Sequence, residues 1–304
     1  MSYNHHASVI YEAHSAHMQK STLRFLLVLL LLIAMPGEAH AWGLYSHVAY
    51  THSWLQTLPL LPLPWLGVMR RYPTLVLAGA CLPDLAVVSR TFNHSHGWGI
   101  GQQLLHTDND RQLALGIGYN VHLLTDVVAH QHFVPTFEAK WQHHSVLTHA
   151  ASEWAMDAYL QRADIPAPSK LLRIHRKTII ETLTQTMQCE ANIVDKAIIR
   201  LAAGDQALRL SRIPHYLLGR YRKLDNEFEH KLGYYRDQVT LALQDLPQLL
   251  HGTFPSLHAE HINLGMEQLD DWRRKCLQDA RLRPTRAISA FEHYQHQWFN
   301  QPDC

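Results

Sequence analysis

His122, Asp126 and His130 stand at steps of four residues, and a second series, His149 and Glu153, repeats that step within about 30 residues. On an α-helix, residues four apart lie one above the other on a single face. The spacing therefore predicts two helices, each presenting a column of donor groups. Imidazole with carboxylate is the donor set that suits zinc at neutral pH. Two such columns so close in sequence point to a cluster of two or three ions rather than one structural zinc.

The rest of the chain belongs to the same structural class. Runs of alternating apolar and polar residues are almost absent, and helical periodicity is widespread. It predicts helices over 44–56, 66–80, 108–133, 143–162, 168–187, 190–203, 215–249 with a break near Gly233, 262–279 and 284–298. The expected fold is all-α, a single-domain multi-helix bundle holding a polynuclear zinc site. No Ser/Gly-rich linker separates the ligand-bearing half from the remainder, so 42–304 reads as one domain. Pro59, Pro62 and Pro64 interrupt Leu55 to Met69 and prevent a regular helix there. That stretch is either a connection packed on the core or an apolar loop at the mouth of a site, touching lipid.

The N-terminal segment carries a targeting pattern. Leu23 to Met35 is a short apolar run with Lys20 ahead of it and Arg24 at its start, followed by Ala39-His40-Ala41. A basic start, a short apolar centre and an A-x-A end describe a secretory signal peptide over 1–41. The run falls short of the roughly 20 residues needed to span a bilayer. Met18 would start a more ordinary signal, so residues 1–17 read as a mis-called start. Cleavage after Ala41 would leave Trp42 as the first residue of a secreted or periplasmic protein. In that setting the cysteines can form disulfides. Cys81 lies in an apolar stretch and reads as a buried thiol, and Cys189 with Cys276 is the pairing to test. The formal net charge of +1 across 304 residues offers no basic field for nucleic acid, so none is expected as a partner.

Further stretches now line up: Trp42-Gly43-Leu44-Tyr45-Ser46-His47, then Gly79-Ala80-Cys81-Leu82-Pro83-Asp84, then Asn93-His94-Ser95-His96-Gly97-Trp98, ahead of the two donor columns. Over about Trp42 to Asp157 this order resembles the zinc-dependent phospholipase C family and its relatives, the S1/P1-type nucleases. The resemblance implies that Trp42 binds zinc through its free α-amino group and carbonyl oxygen, with His47 beside it. It implies that Asp84, His96, His122 and Asp126 hold a second ion, that Asp126 bridges two, and that His130, His149 and Glu153 hold a third. It departs from the family at one ligand, which the best-known members place six residues after the aspartate, here His132. Their intervening proline is missing here, and an unbroken helix favours His130. In the loop, His94, His96 and His106 could each reach, with His96 preferred for its likeness to the family's His-x-Trp.

Plainer roles compete for some of these residues. Asp84 could cap a helix, Trp42 could be a packing aromatic, and the i, i+4 pairs could be ordinary ion pairs. His52, His106, His143, His144 and the eight histidines beyond His149 read as hydrogen-bonded core residues. The resemblance implies phosphodiester hydrolysis of a phosphatidylcholine-like phospholipid at a membrane or micelle surface, giving diacylglycerol and a phosphorylated head group. The ions would lower the pKa of a bound water, with Asp84 and Asp126 in catalytic roles and Asp84 as general base. The alternatives are a single-strand nuclease using the same metal site, a phosphomonoesterase, and a non-enzymatic zinc-binding protein.

Overall fold

The computed structural model describes residues 43–57, 65–134, 137 and 146–254, with the backbone alone at 131, 132 and 146–148. Among the described residues every regular element is helical, as the periodicity predicts. The α-helices are α1 (Leu44–Thr57), α2 (Leu66–Arg71), α3 (Pro73–Gly79), α4 (Leu85–Val88), α5 (Trp98–Leu105), α6 (Asp110–Val128), α7 (Val146–Leu160), α8 (Pro168–Ile174), α9 (Arg176–Met187), α10 (Ala191–Ser211), α11 (Ile213–Leu224), α12 (Phe228–Ala242) and α13 (Leu246–Leu250). A π-helical turn, Ala129–Phe133, extends α6.

The fold is organised around α6. Asn109 caps it, accepting from the backbone N–H of Arg111 at 2.9 Å and Gln112 at 3.4 Å. Every residue from Leu113 to Val128 is buried, so this helix is covered on all sides. Helices α1, α3 and α5 pack directly on it, and α7 packs against α1 and α11. The crossing of α3 over α6 is backbone against backbone. A Cβ at Gly118 would lie 1.9 Å from the Val76 carbonyl oxygen, and one at Gly79 would lie 2.1 Å from that of Leu115. Only glycine permits an approach this close, and it brings the turn after α3 onto the donor face of α6.

Several element boundaries differ from expectation. The helix expected over 66–80 is two, because Pro73 cannot continue α2 but fits the first turn of α3. The one expected over 168–187 divides at His175. Within 215–249 the break falls at Asp225–Glu227, and Gly233 lies inside α12. Asp225 anchors that break by accepting from Glu227 N–H at 3.1 Å and from Lys231 Nζ at 2.9 Å. Helix α10 runs on to Ser211, past the expected 203, and α5 was not anticipated. The helices expected over 262–279 and 284–298, the signal segment, Trp42, the three prolines of 58–64 and Cys276 lie outside the described residues. Cys81 is a buried thiol, as expected. Among the described residues no helix is long and apolar enough to cross a membrane.

Candidate metal centre

Four elements deliver the donor atoms. Helix α1 contributes His47, the turn after α3 contributes Asp84, the loop before α5 contributes His96, and α6 contributes His122 and Asp126. All five are buried. Two groups of three converge, each with its donor atoms within 4.8 Å of one another: His47, His122 and Asp126, and Asp84, His96 and His122. His47 Nε2 is 3.3 Å from Asp126 Oδ1, while His122 Nε2 and His96 Nε2 are 2.9 Å and 3.4 Å from Asp126 Oδ2. Asp84 Oδ1 is 3.7 Å from His96 Nε2 and 3.8 Å from His122 Nε2.

The ring orientations follow from what their other nitrogens do. His122 Nδ1 donates to the Ala80 carbonyl at 2.8 Å. This contact exists because α3 lies so close on α6, and it turns Nε2 toward the carboxylates. Thr125 Oγ1 donates to the His122 carbonyl at 2.8 Å, so it accepts from His47 Nδ1 at 2.9 Å. With Nδ1 donating, each imidazole turns its Nε2 toward the carboxylates, the nitrogen left for a metal, and the two rings stack with centroids 3.6 Å apart. His96 is seated by its neighbour Ser95, whose Oγ donates to the Pro83 carbonyl at 2.5 Å and whose carbonyl accepts from Tyr119 Oη.

With Nδ1 committed, His122 has one lone pair and can serve one ion at a time. Asp126 has two oxygens that face different histidines, so it is the residue able to serve two. Burial opposes its charge, but the facing His122 and His47 imidazoles hold its carboxyl well below the usual carboxylate range. A cation fits this arrangement. His47 Nε2, His122 Nε2, Asp84 Oδ1 and both Asp126 oxygens are buried without a well-formed hydrogen bond. Leaving such atoms unsatisfied costs on the order of 1–3 kcal/mol each, which coordination would offset.

A further cluster joins the end of α6 to α7. His149 Nε2 lies 2.7 Å from Glu153 Oε1, and the rings of His130 and His149 are 5.5 Å apart. His130 sits in the π-helical turn rather than in an unbroken α-helix, and such turns recur at functional sites. Of the three loop histidines, His96 alone is buried; His94 is exposed, and His106 is exposed with its Nδ1 on the Gln102 carbonyl. Asp84 precedes α4 but makes no capping bond with its side chain, so the capping role is not the one it performs. The core reading of the remaining histidines fails where they are described. His52 and His175 are half-buried, and His106, His215, His230 and His251 are exposed. His52, His215 and His230 lie within helices, whereas His106, His175 and His251 close helix C-termini, and His106 and His175 keep hydrogen bonds to the Gln102 carbonyl and to Thr74 Oγ1 without being core residues.

Sequence reasoning missed the supports: Thr125, the Ala80 carbonyl, Ser95, Tyr119 and Asp157. Asp157, on α7, accepts from the backbone N–H and Oγ of Ser46 at 2.8 Å and 2.6 Å. Burial pushes its carboxyl up to about 7 despite those bonds.

No curated protein and no solved structure matches the chain. The profile described as zinc dependent phospholipase C matches residues 46–204, more than half of the chain, a span that runs from the first turn of α1 into α10 and includes His47, Asp84, His96, His122, Asp126, His130, His149 and Glu153. The protein belongs to the zinc-dependent phospholipase C family.

Proposed function

We propose that the protein is an exported zinc-dependent phosphodiesterase acting on glycerophospholipids of the phosphatidylcholine type. Water adds to phosphorus, the bond from phosphorus to the glycerol oxygen breaks, and that oxygen gains a proton to give diacylglycerol and a phosphorylated head group. The observation that carries this reading is the Asp126 carboxylate, whose Oδ1 faces the buried His47 and whose Oδ2 faces the buried His96 and His122. A carboxylate so placed suits a multi-ion centre.

Zinc, when bound, supplies the Lewis acidity that makes water a nucleophile near neutral pH and offsets charge on the phosphate oxygens. His47, His96, His122, Asp84 and Asp126 would hold two ions, and His130, His149 and Glu153 a third, with Trp42 completing the His47 group. Asp84 would offer one oxygen as a donor and the other to take the proton of the attacking water. The hydrogen bonds from Nδ1 of His122 and His47 keep the rings from turning, so donor geometry is set before substrate arrives. Membership in the family supports a lipid substrate, and the signal-like segment supports export, with the lipid meeting the enzyme at a membrane or micelle surface.

The test is zinc content together with phosphocholine release from phosphatidylcholine, measured on protein whose first residue is Trp42. Zinc at two to three ions per chain with release of phosphocholine would support the reading. Zinc with turnover of single-stranded DNA or phosphomonoesters in place of lipid would overturn the substrate, and absence of tightly held zinc would overturn the metal centre.

A further inference from the structure

Asp157 belongs to neither donor group, yet it is 8 % exposed and its hydrogen-bond partners lie on the first turn of α1. The first turn of a helix leaves N–H groups without intrahelical partners. The Ser46 N–H is in that turn; it reaches back to the Gly43 carbonyl at 2.9 Å and is shared with Asp157, which also accepts from the Ser46 hydroxyl. An acid at this end also meets the positive pole of the helix dipole. Gly43 packs on the same carboxylate, where a Cβ would lie 2.2 Å from Asp157 Oδ2 and 2.5 Å from Oδ1. One side chain of α7 therefore caps α1 from outside, and the start of α1 is shaped to receive it.

The neighbour of Ser46 in sequence is His47. Where α1 begins, and how its first turn is rotated, decides where His47 Nε2 points. The same α7 carries His149 and Glu153, two turns and one turn before Asp157 on the same face. We infer that Asp157 is a positioning residue of the metal centre, locking the first turn of α1 to α7 and so holding His47 in its donor group. A buried acid kept only for stability would be a poor choice, since an apolar side chain of similar volume costs less to bury. The inference rests on the metal reading above.

The experiment measures zinc stoichiometry, zinc affinity by chelator competition, and the melting temperature of the zinc-free protein. Protein beginning at Trp42 is compared with Asp157→Ala, Asp157→Asn and Gly43→Ala in the same form. Asp157→Ala and Gly43→Ala are expected to weaken one zinc by at least about tenfold, the scale on which supports of metal ligands act, while the remaining zinc stays bound. Asp157→Asn still offers Ser46 an acceptor oxygen and is expected to stay within about threefold of the parent. If Asp157→Ala does not fold, Gly43→Ala carries the test, because it displaces the carboxylate without removing it. Lower melting temperatures with unchanged zinc affinity in both variants would overturn the inference and leave Asp157 a structural acid. A parent protein that binds no zinc would instead overturn the metal reading, a failure visible before any variant is compared.

Discussion

Thr125 Oγ1 accepts from His47 Nδ1 at 2.9 Å and donates its own hydrogen bond to the His122 carbonyl at 2.8 Å. A single hydroxyl thus fixes the tautomer of one candidate ligand while tied to the backbone of another. Thr125→Val keeps the shape and removes the hydroxyl. It should weaken zinc about 10- to 100-fold while changing the stability of the zinc-free protein by only about 1 kcal/mol. Chelator competition and chemical unfolding measure the two effects, and a variant with parental zinc affinity would show that the hydroxyl does not orient the ring.

Asp126→Asn leaves an oxygen on one side of the site and an amide donor on the other. It should lose at least one zinc and reduce kcat/KM about 1,000-fold or more, equivalent to roughly 4 kcal/mol of transition-state stabilisation. Elemental analysis beside a phosphocholine assay checks both. Full zinc content with near-parental turnover would remove Asp126 from the centre.

The carboxyl of Asp157 ionises near 3.8 in the unfolded chain and at about 7 in the fold. The folded state therefore holds this proton more tightly. The contribution is fully present below pH 3.8 and is lost as pH rises toward 7, at 1.36 kcal/mol per unit, or about 4 kcal/mol in all. Asp205 faces it and pushes the same way, while the Arg209 guanidinium lies over the neighbouring Tyr45 ring. Asp157→Asn cannot ionise. In zinc-free protein its stability relative to the parent should rise steadily across this window in urea titrations, and a constant difference between the two would contradict the shift.

If Trp42 donates its α-amino group, that donor exists only once the preceding segment is gone. Protein retaining residues 18–41, or carrying an added Met before Trp42, should bind less zinc and turn over far more slowly than protein beginning at Trp42. Equal zinc and equal turnover would exclude a role for that amino group.

Zinc bound to the fold but not to the unfolded chain adds RT ln(1 + [Zn]/Kd), about 2.7 kcal/mol when zinc is present at 100 times Kd. Chelation should therefore lower Tm by several degrees, and restored zinc should return it. A melting curve indifferent to chelator would leave the buried donor atoms without a cation to account for them.

The donor columns were legible because four-residue spacing is itself a statement about helix faces. His122 with Asp126 and His149 with Glu153 pair as that spacing requires. His96 became distinguishable from His94 and His106 only through burial, which depends on how the 93–98 loop folds onto α6. The supports were not legible at all. Ala80 acts through its carbonyl, which any residue possesses, and Thr125 and Asp157 act on partners 78 and 111 positions away. The break at Asp225 was missed because Gly233 is the weaker helix former, yet the turn is set by the bonds Asp225 makes.

The contact between α3 and α6 gives two residues without side chains an unexpected standing. Gly79 and Gly118 offer no side chain to the centre, but they set the depth at which the Ala80 carbonyl meets His122. In a genetic screen scored by loss of activity, alanine at either glycine would rank beside the ligands themselves. A survey of such variants would then trace an outline of the centre larger than its coordination sphere, reaching back into the scaffold that aims it.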